Sequence, residues 1–182
     1  GLNTATTVNL TGGSTIGSWT ETGFSTITTK TFDASGYAGA VTLTGAADSI
    51  YKAVTVKGGS GSSDVLTAVY NTAHADYAPT ISGFETVKLQ FDADASGTES
   101  YTLDTTNITG ATTIKVDDTS TASATGSVVL TNVAAGQALQ LGGAGLADGF
   151  AGATFTATLA SATGTADALS ITLSDTNNAA NT

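Results

Sequence analysis

The sequence predicts an all-β chain wound as a right-handed parallel β-solenoid with irregular coils. Three observations predict it. A dozen short segments alternate apolar residues with Thr, Lys or Gln, the period-two pattern of a strand with one buried face. The spacers between them carry Gly, Asn, Asp and Ser, which take turn conformations at little cost. A glycine-led turn ending in aspartate and an apolar residue recurs four times, as expected where similar coils stack. A β-sandwich is the alternative, because short strands spaced by turns also fit that architecture. Sandwich hairpins favour two-residue turns such as Asn-Gly, however, and that dipeptide does not occur.

The strand segments begin with 7–10 (TVNL), 25–32 (STITTKTF), 40–43 (AVTL), 53–57 (AVTVK), 65–70 (VLTAVY) and 85–91 (ETVKLQF). They continue with 101–103 (YTL), 113–116 (TIKV), 127–130 (SVVL), 138–141 (ALQL), 153–159 (ATFTATL) and 168–173 (ALSITL). Thr, Val and Ile dominate them, and these branched side chains fit a pleated, half-buried surface. Helix has little support, since Gly and Thr interrupt almost every window of a dozen residues and Leu, Glu and Lys are sparse. The two best helical candidates are 71–77 (NTAHADY), just before Pro79, and 133–138.

Composition narrows the function. Thr, Ala, Gly and Ser supply 106 of the 182 residues, and 15 acids face 5 lysines for a net charge of −10. A disordered linker is set aside because 40% of residues are apolar and only 11% charged, enough side chain for a core. The acidic balance excludes a nucleic-acid partner, which needs a positive surface to displace counterions. No apolar run approaches the roughly 20 residues of a membrane helix, so no membrane insertion is expected. There is no cysteine, Arg or Met, and His74 is the one histidine, which rules out disulfides and the usual zinc sites. No charged leader followed by an apolar stretch opens the chain, which places any secretion signal outside it. The length suits one β-rich module over residues 1–182, expected to be a piece of a longer protein.

An enzyme is not expected. A Ser–His–Asp arrangement has only His74 to offer and no G-x-S-x-G elbow accompanies it. The glycine strings lack the G-K-[ST] ending of a phosphate loop and lead into strands. Paired carboxylates are plentiful, yet their spacing singles out no acid and base. Trp19 and Tyr37, Tyr51, Tyr70, Tyr77 and Tyr101 are read as core anchors ahead of a sugar-stacking face, since each buries a large area.

The four aspartate turns read GAADSI (45–50), GSSDVL (61–66), GLADGF (145–150) and GTADAL (164–169), placing Asp48, Asp64, Asp148 and Asp167 at equivalent positions. Two extend backward into GGSGSSDVL (58–66) and GGAGLADGF (142–150). Asp48 lies 16 residues before Asp64, and Asp148 lies 19 before Asp167, so each pair is expected to sit roughly one coil apart. On residue type alone, each aspartate caps its own turn through side-chain to backbone bonds. Asp92 and Asp94, near Glu99, and the Asp117–Asp118 pair, near Asp104, form two further acidic clusters.

These strings resemble the RTX nonapeptide GGxGxDxΦx, with one additional residue between the last Gly and the Asp. The wider order is similar to bacterial S-layer proteins of the Caulobacter and Campylobacter type and to related large RTX surface proteins. It comprises TFDASGYAGAVTLTG (31–45), VKGGSGSSDVL (56–66), ISGFETVKL (81–89) and LASATGTADALSITL (159–173). The similarity covers roughly residues 26–173.

The resemblance implies a secreted, extracellular structural protein at the cell surface, self-associating into a lattice or filament. It also implies Ca²⁺, held by Asp48, Asp64, Asp148 and Asp167 together with turn carbonyls of adjacent coils. In such a lattice Asp92, Asp94, Asp117 and Asp118 are candidates for ions bridged between subunits, because two carboxylates on one loop supply only part of a calcium shell. It also gives Glu85, in the GFET string, the role of accepting bonds from a neighbouring turn. An adhesin domain that binds a glycan, such as cell-surface polysaccharide, or a host protein is the alternative.

Overall fold

The computed structural model describes residues 6–13, 18–24, 30–51, 54–71, 77–91, 100–118, 127–142, 154–161 and 168–173. Fifteen strands run in chain order as β1 (Thr7–Gly12), β2 (Ser18–Phe24), β3 (Thr31–Tyr37), β4 (Ala40–Gly45), β5 (Thr55–Lys57), β6 (Val65–Tyr70), β7 (Thr80–Ser82) and β8 (Thr86–Phe91). They continue as β9 (Ser100–Asp104), β10 (Ile108–Thr109), β11 (Thr113–Asp118), β12 (Ser127–Val133), β13 (Ala138–Leu141), β14 (Thr154–Leu159) and β15 (Ser170–Leu173). The described residues contain no helix. Residues 72–76 of one helical candidate lie outside the described residues. The other is corrected: Val133 ends β12, Gln137 N–H donates to Ala134 C=O at 3.1 Å, and Gly136 takes φ +80° to turn the chain into β13.

Every strand pairing among the described residues is parallel, which fits a solenoid and excludes the hairpin-built sandwich. The strands stack into a five-stranded sheet β1-β3-β5-β7-β10, a seven-stranded sheet β2-β4-β6-β8-β11-β13-β15 and a three-stranded sheet β9-β12-β14. A parallel bridge from Tyr77 to Leu103 extends the third wall by one coil. One coil spans 21 residues from Val65 to Thr86 but 32 from Ala138 to Ser170. These lengths exceed the separations of 16 and 19 expected from the aspartate turns. Asp48 follows β4 and Asp64 precedes β6, so they stand at opposite ends of their strands and do not stack.

Stacking in register turns the period-two pattern into columns. Phe32, Val56, Ile81 and Ile108 line one wall, and Leu43, Leu66, Val87, Ile114 and Leu139 line the second, all buried. Tyr101 and Val128, with Leu103 and Leu130, line the third. Large rings fill the corner that small residues would leave hollow: Tyr70 lies 4.3 Å from Tyr77 and 5.2 Å from Phe91, and Phe91 lies 5.2 Å from Tyr101. Tyr70, Tyr77 and Tyr101 are therefore core anchors, whereas Tyr37 and Tyr51 pack at its margin.

Tyr70 is fully buried and its hydroxyl has no hydrogen-bond partner among the described residues. Burial pushes its phenol far above the ordinary value, and the Tyr77 and Asp48 charges act in the same direction. Folding strips water from that hydroxyl without replacing the bond, so Tyr70→Phe is expected to stabilise the protein by about 1–2 kcal/mol. A thermal melt checks this, and a lower midpoint for the variant would contradict it.

Glycines form the corner between the first two walls. Register places Gly58, Gly83 and Gly110 in one column. A Cβ on Gly58 would run into the Gly83 carbonyl, and Gly83 takes φ +70°.

Candidate functional site

Val41, the second residue of β4, and Asp64, Glu85 and Thr112, which immediately precede β6, β8 and β11, form one column, one step ahead of the paired positions Thr42, Val65, Thr86 and Thr113. Carboxylates reach back along it by one coil each. Asp64 Oδ1 accepts the Val41 N–H at 2.7 Å, and Glu85 Oε2 accepts the Asp64 N–H at 2.7 Å. Main-chain bonds run alongside, from Thr86 N–H to Asp64 C=O at 3.1 Å and from Thr112 N–H to Glu85 C=O at 3.0 Å. The Thr112 hydroxyl also donates to Glu85 C=O at 2.9 Å. Glu85 thus accepts a bond from the neighbouring turn, the role the resemblance implied for it.

Asp64 is completely shielded from solvent, and its second oxygen, Oδ2, has no hydrogen-bond partner among the described residues. The GGSG turn makes that position possible. A side chain starting at Gly59 would meet Tyr37 C=O at 2.8 Å, Asp64 Oδ2 at 3.1 Å and Gly39 C=O at 3.3 Å, and one starting at Gly61 would meet Gly39 C=O at 2.9 Å. Oxygens from two successive coils therefore converge on space that only glycine leaves open. Burial raises the Asp64 carboxyl above its ordinary value, the Val41 and Gly59 amides oppose that rise, and the Glu85 charge adds to it. The Gly59 amide favours the charge through proximity but does not close a hydrogen bond on Oδ2.

This cradle fits a hard cation on chemical grounds. Calcium takes oxygen ligands from carboxylates and main-chain carbonyls alike, and an orphaned buried carboxylate oxygen is a strong ligand. Asp64 Oδ2 and Gly39 C=O would supply protein oxygens to it, whereas Tyr37 C=O already accepts the Ser60 N–H at 2.8 Å and the Ser60 hydroxyl at 3.2 Å. No group of three His, Asp or Glu side chains gathers among the described residues, so a bound cation would have to draw much of its shell from main-chain carbonyls.

Asp48 is placed differently. It takes φ +54° in the turn after β4, its N–H donates to Val69 C=O at 2.8 Å, and its Oδ1 accepts the Asn71 N–H and the Tyr77 hydroxyl, each at 2.9 Å. Through these bonds it fastens the next coil. Asp117 faces outward on β11. Burial raises its carboxyl, opposed first by a Gln90 side-chain bond and then by the Lys88 and Lys115 charges. Asp118 pairs in register with Phe91, and its side chain lies outside the described residues. Asp92, Asp94, Asp148 and Asp167, together with His74 and Glu99, also lie outside them.

Sequence reasoning missed several fasteners. Asp33 bonds Lys57 at 2.8 Å and Ser35, which hold its carboxyl down to about 2. Asp104 bonds Thr106 and, from the next coil, Asn132, which lower its carboxyl. D-x-[ST] at 33–35 and 104–106 was the available signal.

These groups set the pH response. Asp33 and Asp104 have lowered values in the fold, so their stabilisation is present above the ordinary 3.8 and is lost as pH falls through the lowered values, about 2 for Asp33. Asp64 and Asp117 have raised values, so their penalty is present at neutral pH and is relieved as pH falls through those raised values toward 3.8. In chelator, the melting temperature is expected to rise on mild acidification from pH 7 and to fall below pH 3.8. A monotonic decline from pH 7 would contradict the assignment.

The described residues include no helix long and apolar enough to cross a membrane. Comparison with known families, with curated proteins and with solved structures finds no match to this chain.

Proposed function

We propose that this chain is a structural module of a secreted bacterial surface-layer protein, which works outside the cell by self-associating into a lattice or filament with calcium. The Asp64 cradle carries the reading. A buried carboxylate oxygen without a donor, facing carbonyls of the preceding coil, is costly unless something positive meets it. Calcium there would tie the turn before β6 to the turn before β4 and stabilise the folded chain by an amount that grows with the logarithm of its concentration above the dissociation constant. The overall charge of −10 supports the same reading, because copies packed side by side repel unless cations intervene.

Packing gives further support. The described interior is filled by side-chain columns, and the walls outside carry mainly Thr, Ser and other small residues suited to close lateral contact. The order of FDAS, GGSGSSD and GFETV strings contributes the likeness to surface-layer proteins.

Sedimentation velocity and negative-stain imaging, each with millimolar calcium and with chelator, test assembly. Calcium-dependent sheets or filaments are expected. A strictly monomeric particle under both conditions would overturn the self-association reading.

A further inference from the structure

We propose that the end of the solenoid carrying β15 is a contact surface for a second copy of this chain, the two β15 strands pairing antiparallel about a twofold axis. Such a surface gives the proposed self-association, on which this inference rests, a location that needs no calcium. In the seven-stranded sheet β2 and β15 are the end strands, each with one strand neighbour among the described residues. The outer side of an end strand presents main-chain N–H and C=O groups that another strand can meet.

The two ends differ in how they are guarded. Proteins blunt open edges with charge, proline or a bulge. The register of β2 on β4 breaks between Thr22 and Phe24, and that of β1 on β3 breaks between Asn9 and Thr11. Glu21 of β2 also stands in register with Leu43, at the head of the column that runs through Leu66, Val87, Ile114 and Leu139 to Ile171. β15 has none of these devices: SITL carries no charge and no proline, and it pairs with β13 along its whole length without a break.

Burial along the columns distinguishes the same end. Leu43, Leu66, Val87, Ile114 and Leu139 are buried, yet Ile171, next in line, is 48% exposed, the one large hydrophobic so exposed among the described residues. On the adjoining wall Leu130 and Val133 are buried, while Ala157 and Leu159, their partners on β14, are only partly so. The apolar columns therefore stop uncovered at this end.

Charge selects a second copy as the occupant. All 5 lysines and 12 of the 15 acids fall in residues 1–118, and β12, β13, β14 and β15 contain no charged residue. On a chain of net charge −10, this is the end that another such chain approaches with least repulsion. A head-to-tail stack that continued the register would set the incoming copy's Glu21 against Ile171, a carboxylate within an apolar column. Twofold pairing brings Ile171 against the same strand of the other copy instead, and the contact closes after two chains.

Sedimentation velocity of the whole chain in chelator, over a concentration series, should show a monomer–dimer equilibrium. Ile171→Lys should raise the dissociation constant at least tenfold, although it makes the chain less negative, and Glu21→Gln at the opposite end should leave it within twofold. The chain has no cysteine, so Ser170→Cys and Thr172→Cys each carry a single thiol. A disulfide needs Cα atoms within about 7 Å, so under mild oxidation one of these variants, or a mixture of the two, should give a covalent dimer, and Thr20→Cys on β2 should not. A monomer at every concentration, an Ile171→Lys variant that dimerises like wild type, or crosslinking through Thr20→Cys in place of β15 would overturn the proposal. Calcium-dependent growth without this dimer would overturn this surface and leave the lattice reading standing, whereas the dimer without calcium-dependent growth would support the surface and remove the calcium lattice.

Discussion

Gly58→Ala is expected to destabilise the protein by about 3 kcal/mol, at the upper end of ordinary overpacking costs, because the added methyl meets main chain. Its Cβ would strike the Gly83 carbonyl, and Phe84 stands 3.2 Å away on the same side. Neither obstacle is the free end of a flexible side chain, so relief requires two coils to separate. That separation would strain the bond from Gly58 N–H to Ser82 C=O, 2.8 Å long, and the parallel pairing of β5 with β7. Gly136→Ala is the informative control. Gly136 has φ +80° but open space where a methyl would go, so it should lose only the roughly 1–2 kcal/mol of a left-handed alanine. Denaturant melts should rank Gly58→Ala below Gly136→Ala, and the reverse order would show that the coils are not in contact at this corner.

Removing the Asp64 carboxylate is expected to have an effect of similar size. Asp64→Ala leaves the buried Val41 N–H without its 2.7 Å acceptor, which costs about 2–3 kcal/mol. Glu85→Ala should cost less, since Glu85 is only partly buried and water can reach the Asp64 N–H it serves. Asp64→Asn separates the hydrogen bond from the charge. Its carbonyl oxygen can keep the Val41 bond, while its amide can donate toward Gly39 C=O or Tyr37 C=O. In chelator, Asn should therefore match or exceed the wild type and Ala should fall well below it. Equal melting temperatures for wild type and Ala would contradict the inter-coil role of this carboxylate.

The strands were legible wherever branched and apolar residues alternate without interruption. Segments 65–70 and 138–141 coincide with β6 and β13, because each buries alternate side chains against neighbours on both sides. β2 was missed because SWTETGF has a polar majority and a glycine, and β7 and β10 because three and two residues are too few to show a period. Those short strands are held by neighbours in register, a tertiary cause that local pattern does not carry.

The site was legible in its residue types and less so in its geometry. Asp64 and Glu85 stood out from their strings, but coil length did not. Loops lengthen each coil without altering the strand pattern, so a motif spacing of 16 residues concealed a repeat of 21 or more. The equal-looking Asp48 and Asp64 turns consequently do different work. One follows a strand in left-handed backbone and fastens the next coil, and the other precedes a strand and faces the carbonyls of the previous one. Main-chain oxygens such as Tyr37 C=O and Gly39 C=O leave no mark in a sequence, so the cradle itself required coordinates.

The central claim is that a cation bound at Asp64 fastens adjacent coils. The most direct measurement compares thermal melts of wild type and Asp64→Asn in saturating calcium and in chelator. Wild type should gain stability on adding calcium, about 2.7 kcal/mol at a hundredfold excess over the dissociation constant. Asp64→Asn should lose most or all of that gain while keeping its stability in chelator. An unchanged wild-type midpoint, or an equal calcium gain in both proteins, would contradict the claim.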